Sequence, residues 1–210
     1  MGKPPETMLR ARRAIAALVT LALLAVCNRT AMAQRIPAGQ LVQGTQVGKS
    51  VFEPGDTGKG GNGQPVDGIE GSSREMLKTH FHAHLSLFYN GEQIAIPYGI
   101  GIVKPHQVEN GFVGGGQGFY WLHTHDATGI IHIESPDERA FTLGNFFNVW
   151  GQSLNERNVA GLQGPVTAYV DGRPYMGNVR DIRLQSHSRI TLEVGVPAVT
   201  PPWYEFPPGL

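Results

Sequence analysis

The chain has almost no cysteine, and its longest apolar run is short. The one cysteine is Cys27, which lies inside the segment that we predict to be a signal peptide. Without that segment the protein has no disulfide, no thiol nucleophile and no thiolate ligand. A metal site in the mature protein would therefore use histidine, carboxylate, methionine or backbone groups.

Charged residues are also scarce. They make up 16% of the chain, with 17 basic and 17 acidic residues, against about 25% in a typical soluble domain. The basic excess lies in the predicted signal peptide, so no basic surface and no nucleic-acid partner are predicted. The 28 glycines favour turn-rich β structure over a helical bundle.

Residues 1–33 have the three parts of a signal peptide, which predicts a periplasmic or secreted protein. The apolar part is about 13 residues long, too short for a comfortable membrane span. A membrane anchor is the alternative, but we expect no stable span after cleavage. The three parts are a positive start, an apolar run and a small-x-small cleavage pattern: Arg10 with Arg12 and Arg13, residues 14–26, and Ala31-Met32-Ala33.

Two further segments follow the predicted cleavage site. Residues 34–72 are rich in glycine and polar residues and are predicted to be a linker or a loosely attached arm. The alternative is an edge strand fixed by its few larger apolar residues, such as Leu41 and Phe52. Residues 73–210 are predicted to form a single His-rich β domain, since one chain of this length can build a core without crosslinks.

Alternating patterns in this domain predict antiparallel hairpins. Residues 79–90 alternate with period two and end at Asn90-Gly91, a strong hairpin turn. A second hairpin is predicted from residues 119–125, a turn at 126–129 and a strand over 130–134. The predicted fold class is mainly β, either sandwich-like or α+β.

One short amphipathic helix is predicted near 142–154. Thr142 is a suitable N-cap, and Gly151 is expected to interrupt or end the helix. The apolar residues recur at helical spacing and would bury one face against the sheet; they are Leu143, Phe146, Phe147, Trp150 and Leu154.

Histidine carries the strongest functional signal. Six of the eight histidines fall in two short windows. Alternate residues of a strand share one face at about 6.6 Å between Cα atoms, so two imidazoles can converge on one ion at about 2.1 Å each. The alternating groups are His80, His82 and His84; His123 and His125; and His132 with Glu134.

These residues predict a copper or zinc site, provided that the two hairpins are neighbours in one sheet. Asp126 and Glu134 are expected as extra ligands, orienting groups or, for Glu134, a candidate general base. The isolated His106 and His187 are expected at the surface. The predicted ligands are His82, His84, His123, His125 and His132, with His80, Asp126 and Glu134 as secondary candidates.

The sequence leaves three functions open. The first is binding or handling of copper or zinc by an exported protein. The second is a metal-dependent hydrolase or oxidoreductase, in which three histidines leave a position open for water. The third is a metal-free extracellular interaction module whose histidines form a buried polar network.

Several phrases of the domain resemble an uncharacterised family of exported bacterial proteins. The resemblance implies export but no particular activity. It also implies cysteines, and a disulfide between them, at the positions of Gly71 and Gly118, where this chain departs from the family. The phrases with the strongest resemblance are His80-Phe-His-Ala-His-Leu85, residues 121–136 from Trp-Leu-His-Thr-His-Asp to Ile-Glu-Ser-Pro, and residues 142–151, Thr-Leu-Gly-Asn-Phe-Phe-Asn-Val-Trp-Gly.

Overall fold

The structure is a computed structural model that describes residues 37–55 and 59–210. The predicted signal peptide, residues 1–33, lies outside the described residues. Within them the fold is mainly β with a short α-helix, as predicted from the sequence. The strands are β1 Pro37–Gln40, β2 Gly71–Ser72, β3 Thr79–Tyr89, β4 Glu92–Ile94, β5 Ile102–Val103, β6 Gln107–Glu109, β7 Phe112–Gly115, β8 Gly118–Tyr120, β9 Leu122–His123, β10 Ile130–Ser135, β11 Leu154–Asn155, β12 Asn158–Val159, β13 Leu162–Gln163, β14 Val166–Val170, β15 Arg173–Tyr175, β16 Arg189–Val194 and β17 Trp203–Glu205.

Seven of these strands form the central sheet, in the order β15-β14-β16-β3-β10-β9, with β4 also paired to β3. Asn90 and Gly91 connect β3 to β4 with positive φ angles of 50° and 82°, the backbone that a two-residue hairpin turn requires. The two predicted hairpins are neighbours, because β10 pairs with both β3 and β9. The sheet is mixed, since β3 and β16 run parallel.

The helix α1 spans Leu143–Trp150. The Thr142 side chain accepts a hydrogen bond from the Asn145 backbone amide, and the Asn145 side chain accepts one from the Thr142 amide, which completes a capping box. Gly151 has a φ of 73° and ends the helix in the left-handed conformation that glycine adopts at low cost. Leu154, at the end of the predicted stripe, therefore belongs to β11.

Helix α1 packs on the apolar face of the central sheet. Its large aromatic side chains Phe146, Phe147 and Trp150 are fully buried and belong to the same core cluster as Ala83 of β3 and Ile133 of β10. Since alternate residues of a strand point to opposite faces, the histidines of β3 and β10 lie on the other face. Packing of the core therefore holds in position the two strands that carry these histidines.

Parts of the predicted linker contact this domain. Strand β1 pairs in parallel with β17, and Leu41 is buried. The Phe52 ring makes an edge contact with the Trp150 ring at 5.1 Å between centroids, and Ile69 is a member of the main core cluster. Within residues 37–55 and 59–210, no helix combines the length and apolar character needed to cross a bilayer.

Candidate metal centre

Strand register places the site residues opposite one another. In the β3–β10 pair His82 lies opposite His132 and His80 opposite Glu134, and in the β10–β9 pair His132 lies opposite His123. Residues directly opposite in antiparallel strands share a face at close range. Three neighbouring strands therefore present their polar side chains to one space.

Two overlapping groups of side chains are close enough to hold a metal ion. In each group the candidate ligand atoms all lie within 4.8 Å of one another. In one group all four residues are buried, and we call it the inner set. The other group includes the exposed His80, and we call it the outer set. The inner set is His123, His125, His132 and Glu134; the outer set is His80, His82, His132 and Glu134.

The backbone fixes the tautomers of His123 and His125. The Nδ1 atom of His123 lies 2.8 Å from the Tyr120 carbonyl oxygen, and Nδ1 of His125 lies 2.6 Å from the Val113 carbonyl oxygen. A carbonyl oxygen accepts but never donates, so both Nδ1 atoms carry the hydrogen. In each neutral ring Nε2 then carries no hydrogen and has a free lone pair, and this is the form of imidazole that binds metals.

These two lone pairs face each other. The Nε2 atoms of His123 and His125 are 3.0 Å apart, and without a proton on either atom they form no hydrogen bond. Two nitrogens that each lie about 2.1 Å from one ion are separated by about 3.0–3.4 Å for ligand angles between about 90° and 109°. The observed separation fits a shared cation.

The segment around His125 is held from both sides. The Thr124 amide donates to the Ile100 carbonyl at 3.0 Å, and its hydroxyl donates to the Pro97 carbonyl at 2.9 Å. The Phe112 ring stacks on the His125 ring at 4.7 Å. These contacts orient the imidazole before any ion binds, which lowers the entropic cost of binding.

Glu134 lies between the two sets. Its Oε1 is 3.4 Å from Nε2 of His80 and 3.5 Å from Nδ1 of His132, and its Oε2 is 4.0 Å from Nε2 of His123. All three distances exceed the 2.7–3.2 Å range of an N–H···O hydrogen bond. The geometry is therefore not that of a hydrogen-bonded His–Glu network, and it leaves room for an ion between nitrogen and oxygen.

Burial sets the protonation of the cluster. It lowers the pKa of His82 to about 4, with His80 adding to the effect, and it lowers the pKa values of His123 and His132 well below their usual value. Near pH 7 these imidazoles are neutral and able to bind metal. Burial, and then the nearby Glu75, raise the pKa of Glu134 to about 7, a shift that a bound cation would oppose.

Two buried atoms of the cluster have no hydrogen-bond partner among the described residues. They are Nε2 of His82 and Oε2 of Glu134. Buried polar atoms without partners are rare and call for an explanation. Imidazole nitrogen with carboxylate oxygen is a donor set that suits zinc and copper, so the residues present fit a divalent ion.

Two of the predicted site residues do not join either set. Nε2 of His84 lies 2.9 Å from the Thr128 carbonyl oxygen, and the ring lies against Tyr204. Asp126 accepts hydrogen bonds from the Gly44 amide at 2.9 Å and the Thr128 amide at 3.0 Å. Both side chains contact Thr128 in the turn before β10. His84 also contacts Tyr204, and Asp126 also binds the backbone of Gly44.

The two isolated histidines also lie outside both sets. Nε2 of His106 is 2.7 Å from the Ile102 carbonyl oxygen and its ring is half-buried. His187 is exposed, and its Nε2 is 2.9 Å from the Leu210 carbonyl oxygen. These contacts bind each ring to the backbone.

Sequence reasoning missed Glu75. Its Oε1 lies 3.5 Å from Nε2 of His125, and its side chain is 39% exposed. Glu75 precedes β3 in a stretch with no alternating pattern, so no local signal marks it. It follows β2, which pairs with the distant strand β8.

A cavity of about 200 Å³ opens beside His132. The ring of Phe112 and the side chains of Asp126 and Ile130 form part of its wall. Residues 207–210 form another part. This segment therefore lies next to the cluster on the side of His132.

Comparisons of the chain with protein-family models, with curated proteins and with solved structures give no match.

Proposed function

We propose that this chain is an exported metal-binding protein that holds copper or zinc in the His–Glu cluster. The observation that carries the proposal is the 3.0 Å approach of the His123 and His125 Nε2 atoms. Both rings are tied through Nδ1 to backbone carbonyls, so a cation is the partner that their lone pairs lack. Export rests on the signal-peptide pattern of residues 1–33.

Binding or handling of the ion is better supported than catalysis. All four residues of the inner set are buried, whereas a catalytic metal keeps a position open for water or substrate. The cavity beside His132 holds about 200 Å³, below the ~300–1,000 Å³ of typical ligand pockets. A hydrolase or oxidoreductase would need more room next to its ion.

Calorimetric titration of the demetallated protein with Zn²⁺ and with Cu²⁺ tests the proposal. We expect at least one ion per chain with a dissociation constant below about 1 μM, equivalent to about 8 kcal/mol or more. Replacement of His123 and His125 by alanine is expected to weaken binding of the tightest ion at least about 100-fold, whereas His106→Ala is the matched control. Binding weaker than micromolar for both ions would refute the proposal.

Export is tested separately. The full chain is expressed with its own leader in a bacterium, and the periplasmic fraction and medium are analysed by intact mass. We expect a chain that begins at Gln34, since cleavage after Ala33 matches the signal-peptidase pattern. Retention of the uncut chain in the membrane fraction would favour the membrane-anchor alternative.

A further inference from the structure

The overlap of the inner and outer sets indicates more than one ion. We infer that the cluster binds two divalent metal ions and that Glu134 bridges them through its two carboxylate oxygens. This inference rests on the proposed metal binding and adds to it the number of ions and the role of Glu134. Three observations carry it: the direction of the two oxygens, the distribution of unpaired atoms, and the number of donors on each side.

The two oxygens of Glu134 face different histidines. Oε1 lies 3.4 Å from Nε2 of His80, whereas Oε2 faces Nε2 of His123 at 4.0 Å. A single ion held by Oε2 and His123 would leave Oε1, which lies beside His80 and His132, without a cation. In two-metal sites the ions are about 3.5–4 Å apart, a distance that one carboxylate spans.

The buried unpaired atoms are found on both sides of the cluster. Nε2 of His82 belongs to the outer set and Oε2 of Glu134 faces the inner set, and neither has a hydrogen-bond partner among the described residues. His82 and Glu134 are both almost completely buried. One ion in the inner set would give Oε2 a partner but leave Nε2 of His82 without one. Buried polar atoms without a partner are rare.

Each of the two ions would also have enough ligand atoms. His123, His125 and Oε2 serve the inner ion, and His80, His82 and Oε1 serve the outer ion. His132 lies between them, since its ring centroid is 4.5 Å from those of both His82 and His125.

Metal stoichiometry of the full chain tests the inference. The demetallated protein is loaded with Zn²⁺ or Cu²⁺, freed of excess ion, and analysed by native mass spectrometry and elemental analysis. We expect two ions per chain for the wild type and one for the double variant His80→Ala with His82→Ala. With Cu²⁺, the electron paramagnetic resonance spectrum of the wild type should show coupling between two nearby ions, and that of the double variant one isolated ion.

The substitution Glu134→Gln tests the bridge itself, because it removes the charge but keeps the volume. We expect the coupling to be lost and at most one ion to remain. One ion per wild-type chain would overturn the inference but leave the proposed function standing, and no ion would refute both. Two ions that show no coupling, or whose coupling survives Glu134→Gln, would overturn the bridge. Wild-type stoichiometry decides the number of ions even if a variant fails to fold.

Discussion

Glu134 and Glu193 are two buried carboxylates on the same face of the central sheet. Glu134 lies opposite His80 on the β10 side of β3, and Glu193 lies opposite Phe88 on the β16 side. Positions 80 and 88 are an even number of residues apart on one strand, so they share a face. Burial raises the pKa of both carboxyl groups.

Their surroundings differ. Ring nitrogens of three histidines lie within 4.0 Å of Glu134. The backbone of Val199 approaches Glu193 and offsets part of its pKa shift, but neither Glu193 oxygen has a well-formed hydrogen bond within the described part of the chain. Burial alone therefore does not mark a metal site, and Glu193 is a natural control for Glu134.

The largest effect is expected when two of the three histidines of the inner set are removed. The double substitution of His123 and His125 by alanine leaves His132 as the one histidine of that set beside Glu134, which brings the inner side of Glu134 closer to the surroundings of Glu193. We expect affinity for the tightest ion to fall at least about 100-fold, since loss of supporting residues alone costs 10–100-fold. Competition with a chelator of known affinity measures it. An unchanged affinity would show that the inner set is not the binding site.

Removal of the metal is expected to have a slightly smaller effect, this time on stability. At free ion 100-fold above the dissociation constant, binding adds about 2.7 kcal/mol to the free energy of unfolding. For a domain of this size EDTA should then lower the midpoint of thermal unfolding by about 5–10 °C. Differential scanning calorimetry measures the shift. The same shift is expected for Glu193→Gln, whereas the absence of a shift in the wild type would contradict metal binding to the folded state.

Exchanging each carboxylate for an amide compares the two positions directly. We expect Glu134→Gln to weaken metal binding by about 10–100-fold, because the variant lacks the charge that faces the ligating nitrogens. Glu193→Gln should leave the affinity unchanged. Parallel titrations of the two variants with the same metal provide the measurement. Equal losses in both variants would mean that the effect comes from the net charge of the sheet and not from ligation.

The smallest effect is a pH dependence at Glu193. Its pKa is raised from the ordinary value of 4.5 by burial, so the group binds its proton more tightly in the folded state than in the unfolded state. Stability is then highest at low pH and falls as the pH rises above about 4.5, levelling off above the raised pKa.

Glu193→Gln lacks this titration, so at pH 7 we expect it to be more stable than the wild type by about 0.5–1 kcal/mol. Urea unfolding at pH 4 and pH 7, with EDTA present, measures the difference. A larger advantage of the variant at pH 4 than at pH 7 would contradict the sign of the predicted shift.

Much of the frame of the site was predictable from sequence. The Asn90-Gly91 turn, the period-two alternation of β3 and the Thr142 cap of α1 are local signals, and the structure has each of them. Alternation also placed the histidines of β3 on one face. What alternation alone does not provide is the register of β3 against β10.

Register separates the histidines of β3 into two groups. His80 lies opposite Glu134 and His82 opposite His132, but His84 lies opposite Ile130, which offers no ligand. Since each residue advances the strand by about 3.3 Å, His84 is beyond the reach of an ion held near His80 and His82. The sequence ranked His84 above His80 as a ligand, whereas the strand pairing places His80 opposite Glu134 and His84 opposite Ile130.

The exposure of His80 also affects how fast metal ions would enter and leave the cluster. Its side chain is 44% exposed, whereas that of His123 is fully buried. An ion arriving from solvent therefore meets His80 before it meets the pair on β9 and the following loop. Loading would proceed from the outside inwards and release in reverse, so a chelator should withdraw the first ion quickly and the second one slowly.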